Sequence, residues 1–295
     1  MTDESYGPMD QHGTTHLDHT ASAAGLLTMI SNQLGSRLSH VSPLRGYRSP
    51  PALVLVAHGS RDPRALATVS ELAERIRERR PGLTVRLGHI ELNEPLLSDT
   101  LAELPAGRAV LVPLLLSRGH HVKQDIPRAA DDAAHLRTRV ADPLGPHPLL
   151  VDALHDRLVE AGRPEWSTDR DRRRSGVVLA AAGSRDPHSA DDVRRTATLL
   201  AHRLGVPVVP GYASAATPDV ATAVRSLVAR GRDRIAVASY FTAPGRFATE
   251  AAAAAPGIAA APLGTHPALA RLVLHRYDRT PATTPYATVA RTASV

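Results

Sequence analysis

The sequence predicts an α/β protein of two tandem three-layer domains, each with a mostly parallel sheet, that are related by an internal duplication. Two observations carry this prediction. Apolar strand patterns alternate with helical patterns, and the string A-H-G-S-R-D-P at 57–63 returns as A-A-G-S-R-D-P at 181–187. A chain of 295 residues has room for two domains of about 100–200 residues each. With only 3% aromatic residues, the cores are expected to consist of Ala, Val and Leu.

The elements of the first half follow one another in a strand–helix order. The continuous apolar run at 53–57 is typical of a strand buried on both faces, and helical periodicity follows over 64–79. The remaining predicted elements are a strand at 83–90, a helix at 96–104, a strand at 108–116, a helix at 127–136, a strand near 137–141 and a helix near 148–160. This alternation indicates βαβ crossovers and therefore parallel strands.

The same series repeats in the second half. The segments that match the first strand, first helix, second strand and third strand are 176–181, 189–203, 206–212 and 234–241. The ends of the halves also agree, because P-L-G-P-H-P at 143–148 returns as P-L-G-T-H-P at 262–267. His147 and His266 survive in both copies, which favours a structural role for this pair.

Composition predicts where the domains begin and end. Residues 1–49 are expected to be a mostly disordered tail with a short helix at about 22–38, and its His12, His16 and His19 are too loosely spaced to favour a metal site. The predicted order is then a first domain over 50–161, a polar linker over 162–175, a second domain over 176–279 and a frayed tail over 280–295.

Composition also excludes several classes of function. Because the chain has no cysteine, disulfides, thiolate nucleophiles and cysteine-based metal sites are excluded. No apolar run approaches the roughly 20 residues of a membrane span, and no secretion signal is visible, which predicts a cytoplasmic protein that does not bind membranes. The net charge of +6 is interpreted as a solvated surface or as attraction of an anionic substrate. The sequence contains no motif for binding nucleic acid.

Polar side chains follow the first three strands of the first half. His58 follows the first strand, Glu91 follows the second, and His120 and His121 follow the third. Ligands of open parallel sheets bind beyond the carboxyl ends of the strands. Two imidazoles and a carboxylate there would suit a divalent ion such as Fe²⁺, Co²⁺ or Ni²⁺, with coordination positions left open.

The second half lacks these groups. Aligned on shared glycines and prolines, the residues opposite His58, Glu91 and His121 are Ala182, Ser214 and Phe247. Because all three are missing together, the three residues are expected to share one task that is performed once per chain.

The motifs A-H-G-S-R-D-P, E-L-N-E-P and G-H-H-V-K-Q-D-I-P resemble those of the sirohydrochlorin chelatase family of the CbiX/SirB type, which belongs to the class II chelatases. The resemblance covers roughly residues 52–275. It implies two chelatase-like, flavodoxin/Rossmann-like domains that pack about a pseudo-two-fold axis around one cleft. It also implies a monomer that forms this pseudo-dimer within one chain.

The resemblance implies a lyase that inserts Fe²⁺ into sirohydrochlorin to give sirohaem. Insertion of Co²⁺ for cobalamin synthesis, insertion of Ni²⁺, and a non-catalytic metal or tetrapyrrole carrier stay open as alternatives. The metal is a substrate, and no organic cofactor is expected. By the family pattern His58 and His121, rather than His120, bind the metal, and Glu91 is the acidic residue of the site, with Glu94 as the alternative. A hydrolase that binds phosphate would not explain why the second half lacks the counterparts of both Glu91 and His121.

Sirohydrochlorin carries eight carboxylates, which basic side chains could bind. The expected contacts to the substrate come from Arg61, Arg118, Lys123 and Arg246. Arg118 and Lys123 are preferred, because Arg61 is repeated in the second half and is expected to pair with Asp62. Asp125 is expected to cap the helix that begins near Pro127.

Overall fold

The computed structural model describes residues 49–280. The expectations for the N-terminal tail, for its helix at about 22–38 and for its three histidines lie outside the described residues. The same holds for the C-terminal tail after residue 280. Residues 50–280 belong to one compact unit, which contains both halves. Among residues 49–280, no helix has the length and apolarity to cross a membrane.

The first half is a parallel sheet of four strands in the order β2-β1-β3-β4. Its strands are β1 (Ala52–Ala57), β2 (Val85–His89), β3 (Gly107–Pro113) and β4 (Leu136–Val140). Its helices are α1 (Pro63–Arg79), α2 (Leu97–Ala102), α3 (Ile126–Asp132) and α4 (Pro148–Glu160). A π-helical turn, His121–Asp125, precedes α3 and was not predicted. The βαβ prediction for this half is confirmed.

The second half repeats this arrangement in the order β6-β5-β7-β8, again with parallel strands. Its strands are β5 (Ser175–Ala181), β6 (Val208–Tyr212), β7 (Arg234–Tyr240) and β8 (Ile258–Ala259). Between the halves lies α5 (Asp169–Arg174), and the later helices are α6 (Pro187–Leu204), α7 (Val220–Val228), α8 (Arg246–Ala253) and α9 (Pro267–Arg279). The predicted linker therefore contains a short helix, and the neighbouring Trp166 is buried.

One hydrophobic core joins the two halves. Successive side chains of a strand point to opposite faces, so each central strand serves two cores. Leu53 and Leu55 of β1 share a central core with Val177 and Leu179 of β5. The alternate residues of each strand pack outward instead, against α2 and α3 in the first half and against α7 and α8 in the second.

The last helix of each half packs on the other half. Helix α4 contacts α6 and β7, whereas α9 contacts α1 and β3. Each of these two helices also forms a hydrogen bond to the other half. The Arg157 guanidinium in α4 donates to the Leu263 carbonyl at 3.0 Å, and the Tyr277 hydroxyl in α9 donates to the Pro51 carbonyl at 2.6 Å. Because α4 and α9 are exchanged between the halves in this way, neither half encloses its own central core.

The repeated histidines cap these exchanged helices. His147 precedes α4 and accepts the backbone N–H of Leu149 through Nδ1, and His266 accepts that of Ala268 in the same way before α9, each at 3.2 Å. This interaction satisfies one of the free N–H groups of each helix N-terminus. The structural role predicted for the pair is confirmed.

We predict that the two halves unfold together. Leu154→Ala in α4 removes a side chain that is 1% exposed in the shared core, and it should lower the free energy of unfolding by about 2–5 kcal/mol. Fluorescence of the only tryptophan and far-UV circular dichroism should report one coincident transition for the wild type and the variant. Two separate transitions, with one unaffected by the change, would show that the halves are independent.

Candidate functional site

A cleft of about 1160 Å³ lies between the two halves, at the carboxyl ends of their strands. From the first half it is lined by the turn after β1, the segment after β2 and the loop after β3. The corresponding segments of the second half line the facing side. All three residues of the predicted site, His58, Glu91 and His121, belong to this lining.

The turn after β1 presents His58. The chain reverses at Gly59, whose φ of 102° favours glycine, and a Cβ there would lie only 1.8 Å from the Glu91 carbonyl oxygen. The backbone N–H of Glu91 in turn donates to the His58 carbonyl at 3.1 Å. The turn after β1 and the segment after β2 are thus locked to each other, which fixes the positions of His58 and Glu91.

The structure brings His58 and His121 together. Their ring centroids are 4.7 Å apart and the ring planes cross at 85°. The Nδ1 atom of His58 lies 3.5 Å from a carboxylate oxygen of Glu91 and 3.3 Å from the Gly59 carbonyl oxygen. Because both neighbours are acceptors, they favour a proton on Nδ1 and leave Nε2 of His58 with the lone pair that a metal ion needs.

His121 opens the π-helical turn, and the carboxylate of Asp125 fixes its ring. The Nδ1 atom of His121 lies 2.6 Å from Oδ2 of Asp125, so the ring donates its Nδ1 proton and Nε2 is left as the donor atom for a metal. Histidines that bind metals commonly have such a carboxylate partner. The predicted helix cap at Asp125 is wrong, because the chain is already helical there and the side chain makes no capping hydrogen bond.

His120 is placed differently from its neighbour. Its side chain is 65% exposed, its Nε2 lies 3.8 Å from Asp125, and its ring centroid is 6.1 Å from that of His121. It lines the cleft but lacks the short carboxylate contact that orients His121. The assignment of His121 rather than His120 as a metal ligand stays a prediction that this geometry favours.

Within residues 49–280, no three His, Asp or Glu side chains converge closely enough to form a ready-made metal site. The carboxylate of Glu91 lies beside His58 and, at 52% exposure, faces solvent as well. The arrangement is therefore a pair of imidazoles with a nearby carboxylate. A pair of neutral imidazoles can hold a borderline divalent ion while its other ligands stay exchangeable.

The second half keeps the scaffold of the site without its donors. The backbone N–H of Ser214 donates to the Ala182 carbonyl at 2.9 Å, which reproduces the bond between Glu91 and His58. Gly183 also has a positive φ, 87°, and its added Cβ would meet the Ser214 carbonyl oxygen at 1.8 Å. In space, therefore, Ala182 and Ser214 occupy the positions that the alignment gave them.

Arg118 and Lys123 have partners in the second half, and their expected contacts to the substrate stay a prediction. The backbone N–H and guanidinium of Arg118 bind the buried carboxylate of Asp192 at 2.6–2.9 Å, which raises the pKa of Arg118. The Lys123 ammonium lies 2.5 Å from a carboxylate oxygen of Asp186 and lowers the pKa of that carboxyl. Arg118 lines the cleft, whereas Lys123 lies outside its lining.

Arg61 is exposed and lines the cleft, and it has no hydrogen bond or ion pair within residues 49–280. Its expected pairing with Asp62 is wrong, because Asp62 caps α1. The Asp62 carboxylate accepts from the backbone and guanidinium of Arg64, which lowers the pKa of Asp62. Arg246 is 73% exposed, with its guanidinium 4.4 Å above the Phe247 ring and 3.6 Å from the Glu250 carboxylate.

The family model CbiX matches the sequence over residues 52–161 and 176–280, one segment in each half. The sirohydrochlorin cobaltochelatase of Methanococcus aeolicus is 40% identical over 80 residues, which cover 26% of this chain and 56% of that protein. The sirohydrochlorin ferrochelatase of Bacillus subtilis is 28% identical over 176 residues, which cover 57% of this chain and 65% of that protein. The chain spans only about half the length of several curated relatives that it matches, 53–56%.

Solved structures show the same architecture over both halves. SirB from Bacillus subtilis with Fe³⁺ is 25% identical, with a TM-score of 0.62, and the match covers 78% of this chain and 94% of that one. The sirohydrochlorin chelatase SirB from Bacillus subtilis subspecies spizizenii in complex with cobalt is 22% identical, with a TM-score of 0.60 and the same coverage. The second likeness bears on the fold alone.

We predict that Asp125 sets the metal affinity of His121 without being a ligand itself. Asp125→Asn should weaken Co²⁺ binding about 10–100-fold, the usual effect of removing a carboxylate partner from a ligating histidine. The binding is followed by calorimetry and by the visible absorption of Co²⁺. His120→Asn is the matched control, and it should change the affinity much less. Equal effects of the two changes would contradict the role of Asp125.

Proposed function

Because the chain belongs to the CbiX family, we propose that it is a sirohydrochlorin chelatase, a lyase that inserts a divalent metal ion into this tetrapyrrole. One observation carries the proposal. His58 and His121 meet with ring centroids 4.7 Å apart, in a cleft between the halves. A site that must release its ion to another chelator needs few ligands, and these must be exchangeable.

We propose Fe²⁺ as the metal substrate and sirohaem as the product. The ligand types do not distinguish Fe²⁺ from Co²⁺ or Ni²⁺, because imidazole binds all three. The support comes from the relatives. The Bacillus subtilis ferrochelatase aligns with 57% of this chain, whereas the Methanococcus aeolicus cobaltochelatase aligns with 26%. Insertion of Co²⁺ is the alternative, since the relatives include cobaltochelatases as well as ferrochelatases.

The side chains of the site have distinct roles in this proposal. Nε2 of His58 and Nε2 of His121 hold the incoming ion, while Asp125 keeps the His121 ring oriented. Insertion releases two pyrrole N–H protons as the metal replaces them. The half-exposed carboxylate of Glu91 accepts these protons one after the other and passes them to solvent. Glu94 stays the alternative acidic residue.

The cleft suits a large anionic macrocycle. Its volume of about 1160 Å³ exceeds the roughly 300–1,000 Å³ of pockets for drug-sized ligands. Arg61 and Arg246 supply guanidinium groups for the carboxylates of the substrate. Contacts to the ring periphery from both halves could bend the macrocycle, so that its nitrogen lone pairs point at the ion and binding favours the transition state. Three further expectations remain predictions: the protein needs no organic cofactor, it is a monomer, and it works in the cytoplasm.

The test is metallation under anaerobic conditions. With sirohydrochlorin and excess Fe²⁺, the wild-type protein should change the absorbance of the tetrapyrrole through many turnovers. His58→Ala and His121→Ala should each slow the reaction by about 100-fold or more, since losing a ligand costs more than the 10–100-fold typical of outer-shell changes. His120→Ala should have a smaller effect.

Three outcomes would decide against parts of this proposal. Stoichiometric binding without turnover would identify a carrier, and a clear preference for Co²⁺ would identify a cobaltochelatase. If His120→Ala were the inactive variant and His121→Ala retained activity, the assignment of the ligands would be wrong. Ala182→His is the control for the second half, and it should create no second site, because Ser214 and Phe247 still lack the donors.

A further inference from the structure

The cleft has two edges at which the halves meet, and the duplication relates one edge to the other. At the first, a Cβ on Gly245 would lie 3.6 Å from Oγ of Ser60. At the second, a Cβ on Gly119 would lie 3.6 Å from Oγ of Ser184. We call the edge formed by residues 60–68 and 243–249 the open edge, and the edge formed by residues 117–123 and 184–192 the tied edge.

The tied edge is held by polar contacts between the halves. Arg118 binds the carboxylate of Asp192, which is 1% exposed, through its backbone and its guanidinium. Lys123 pairs with Asp186, and the hydroxyls of Ser117 and Ser189 lie 2.9 Å apart. The charges that the first half brings to this edge, those of Arg118 and Lys123, are therefore neutralised by carboxylates of the second half.

The open edge cannot form any of these contacts. The residues that correspond to Arg118, Lys123, Ser117, Asp192 and Ser189 are Pro244, Thr249, Ala243, Thr68 and Ala65. Asp62, the counterpart of Asp186, is bound by Arg64 of its own helix. Across this edge, the described part of the chain shows no hydrogen bond or ion pair between the halves.

Two guanidinium groups of the cleft lining, those of Arg61 and Arg246, lie at the open edge. Arg61 and Arg246 directly follow the two contacting residues, Ser60 and Gly245, and both line the cleft. Arg61 has no ionic partner among residues 49–280. Arg246 lies over the ring of Phe247, and its guanidinium is 3.6 Å from the carboxylate of Glu250 in its own helix, so neither guanidinium is bound by a carboxylate of the other half. On the tied edge the counterpart of Arg61 is Arg185, which lies outside the cleft lining.

We propose that the open edge is the mouth through which a polycarboxylate tetrapyrrole is admitted and held, while the tied edge stays closed. This inference rests on the proposed function. Arg61 and Arg246 each bind a carboxylate of the ligand, and the Phe247 ring packs against the face of the macrocycle. Phe247 corresponds to His121, so the second half has replaced a metal ligand with an aromatic surface for the substrate.

Engineered disulfides test the two edges directly, because the chain has no cysteine of its own. Ser60→Cys with Gly245→Cys joins the open edge, and Gly119→Cys with Ser184→Cys joins the tied edge at the same separation. The pairs are matched further, since Ser60 and Ser184 each accept the N–H of the aspartate two residues later at 3.1 Å. Uroporphyrin, a metal-free porphyrin with eight carboxylates, serves as the probe, and its fluorescence reports binding.

The oxidised open-edge variant should bind uroporphyrin at least about tenfold more weakly than its reduced form, and dithiothreitol should restore the affinity. The oxidised tied-edge variant should bind like the wild type. Arg61→Ala should weaken binding by about tenfold or more, the expected loss of a charge-assisted contact, whereas Arg185→Ala should have little effect. Coproporphyrin, with four carboxylates, should be less sensitive to Arg61→Ala.

The inference is overturned if the tied-edge disulfide blocks binding, if neither disulfide does, if Arg185→Ala matches Arg61→Ala, or if the wild type does not bind uroporphyrin. Because this readout needs no metal, it is independent of the metallation assay. If the protein bound uroporphyrin through the open edge but never inserted a metal, the role of the open edge would stand and the proposed reaction would be wrong.

Discussion

The parallel pairing of β1 with both β2 and β3 is the constraint on which the site depends. Ala57 lies beside His89, and Val56 lies beside Pro113, so all three strands end at one edge of the sheet. The backbone therefore places the residues that follow these ends at the same edge of the sheet. They are His58, Glu91 and the loop that leads to His121. The shared core and the exchanged helices α4 and α9 then hold the second half over this edge and turn it into one wall of a cleft.

The duplication separates what the fold needs from what the chemistry needs. In both halves a glycine with positive φ follows the first strand, a serine hydroxyl accepts the N–H two residues later, and an aspartate caps the first helix. Ala182 occupies the position of His58 in an otherwise equivalent turn, so the imidazole is dispensable for the turn itself. The second half lacks the donors and instead supplies Asp186 and Asp192, which bind Lys123 and Arg118 at the tied edge.

Local pattern and repetition predicted the strands, the helices, their parallel order and the approach of His58 to His121. What they missed depends on tertiary contacts or on backbone detail. Asp192 lies 74 residues from Arg118 in the sequence, and no spacing rule connects the two. The π-helical turn has no signature in the periodicity of the sequence. The bond between Asp125 and His121 depends on that turn, which brings the two side chains together. Asp62 pairs with Arg64 rather than Arg61 because a capping carboxylate faces the first turn of its helix.

In the proposed function, one chain holds one metal ion between two imidazoles of the first half. Anomalous scattering at the cobalt edge from crystals soaked in Co²⁺ tests it most directly. A single strong peak is expected in the cleft at about 2 Å from Nε2 of both His58 and His121, the usual length of a bond between such a metal and imidazole. A peak that touches only one of these rings, or a second peak beside Ala182 and Phe247, would contradict it.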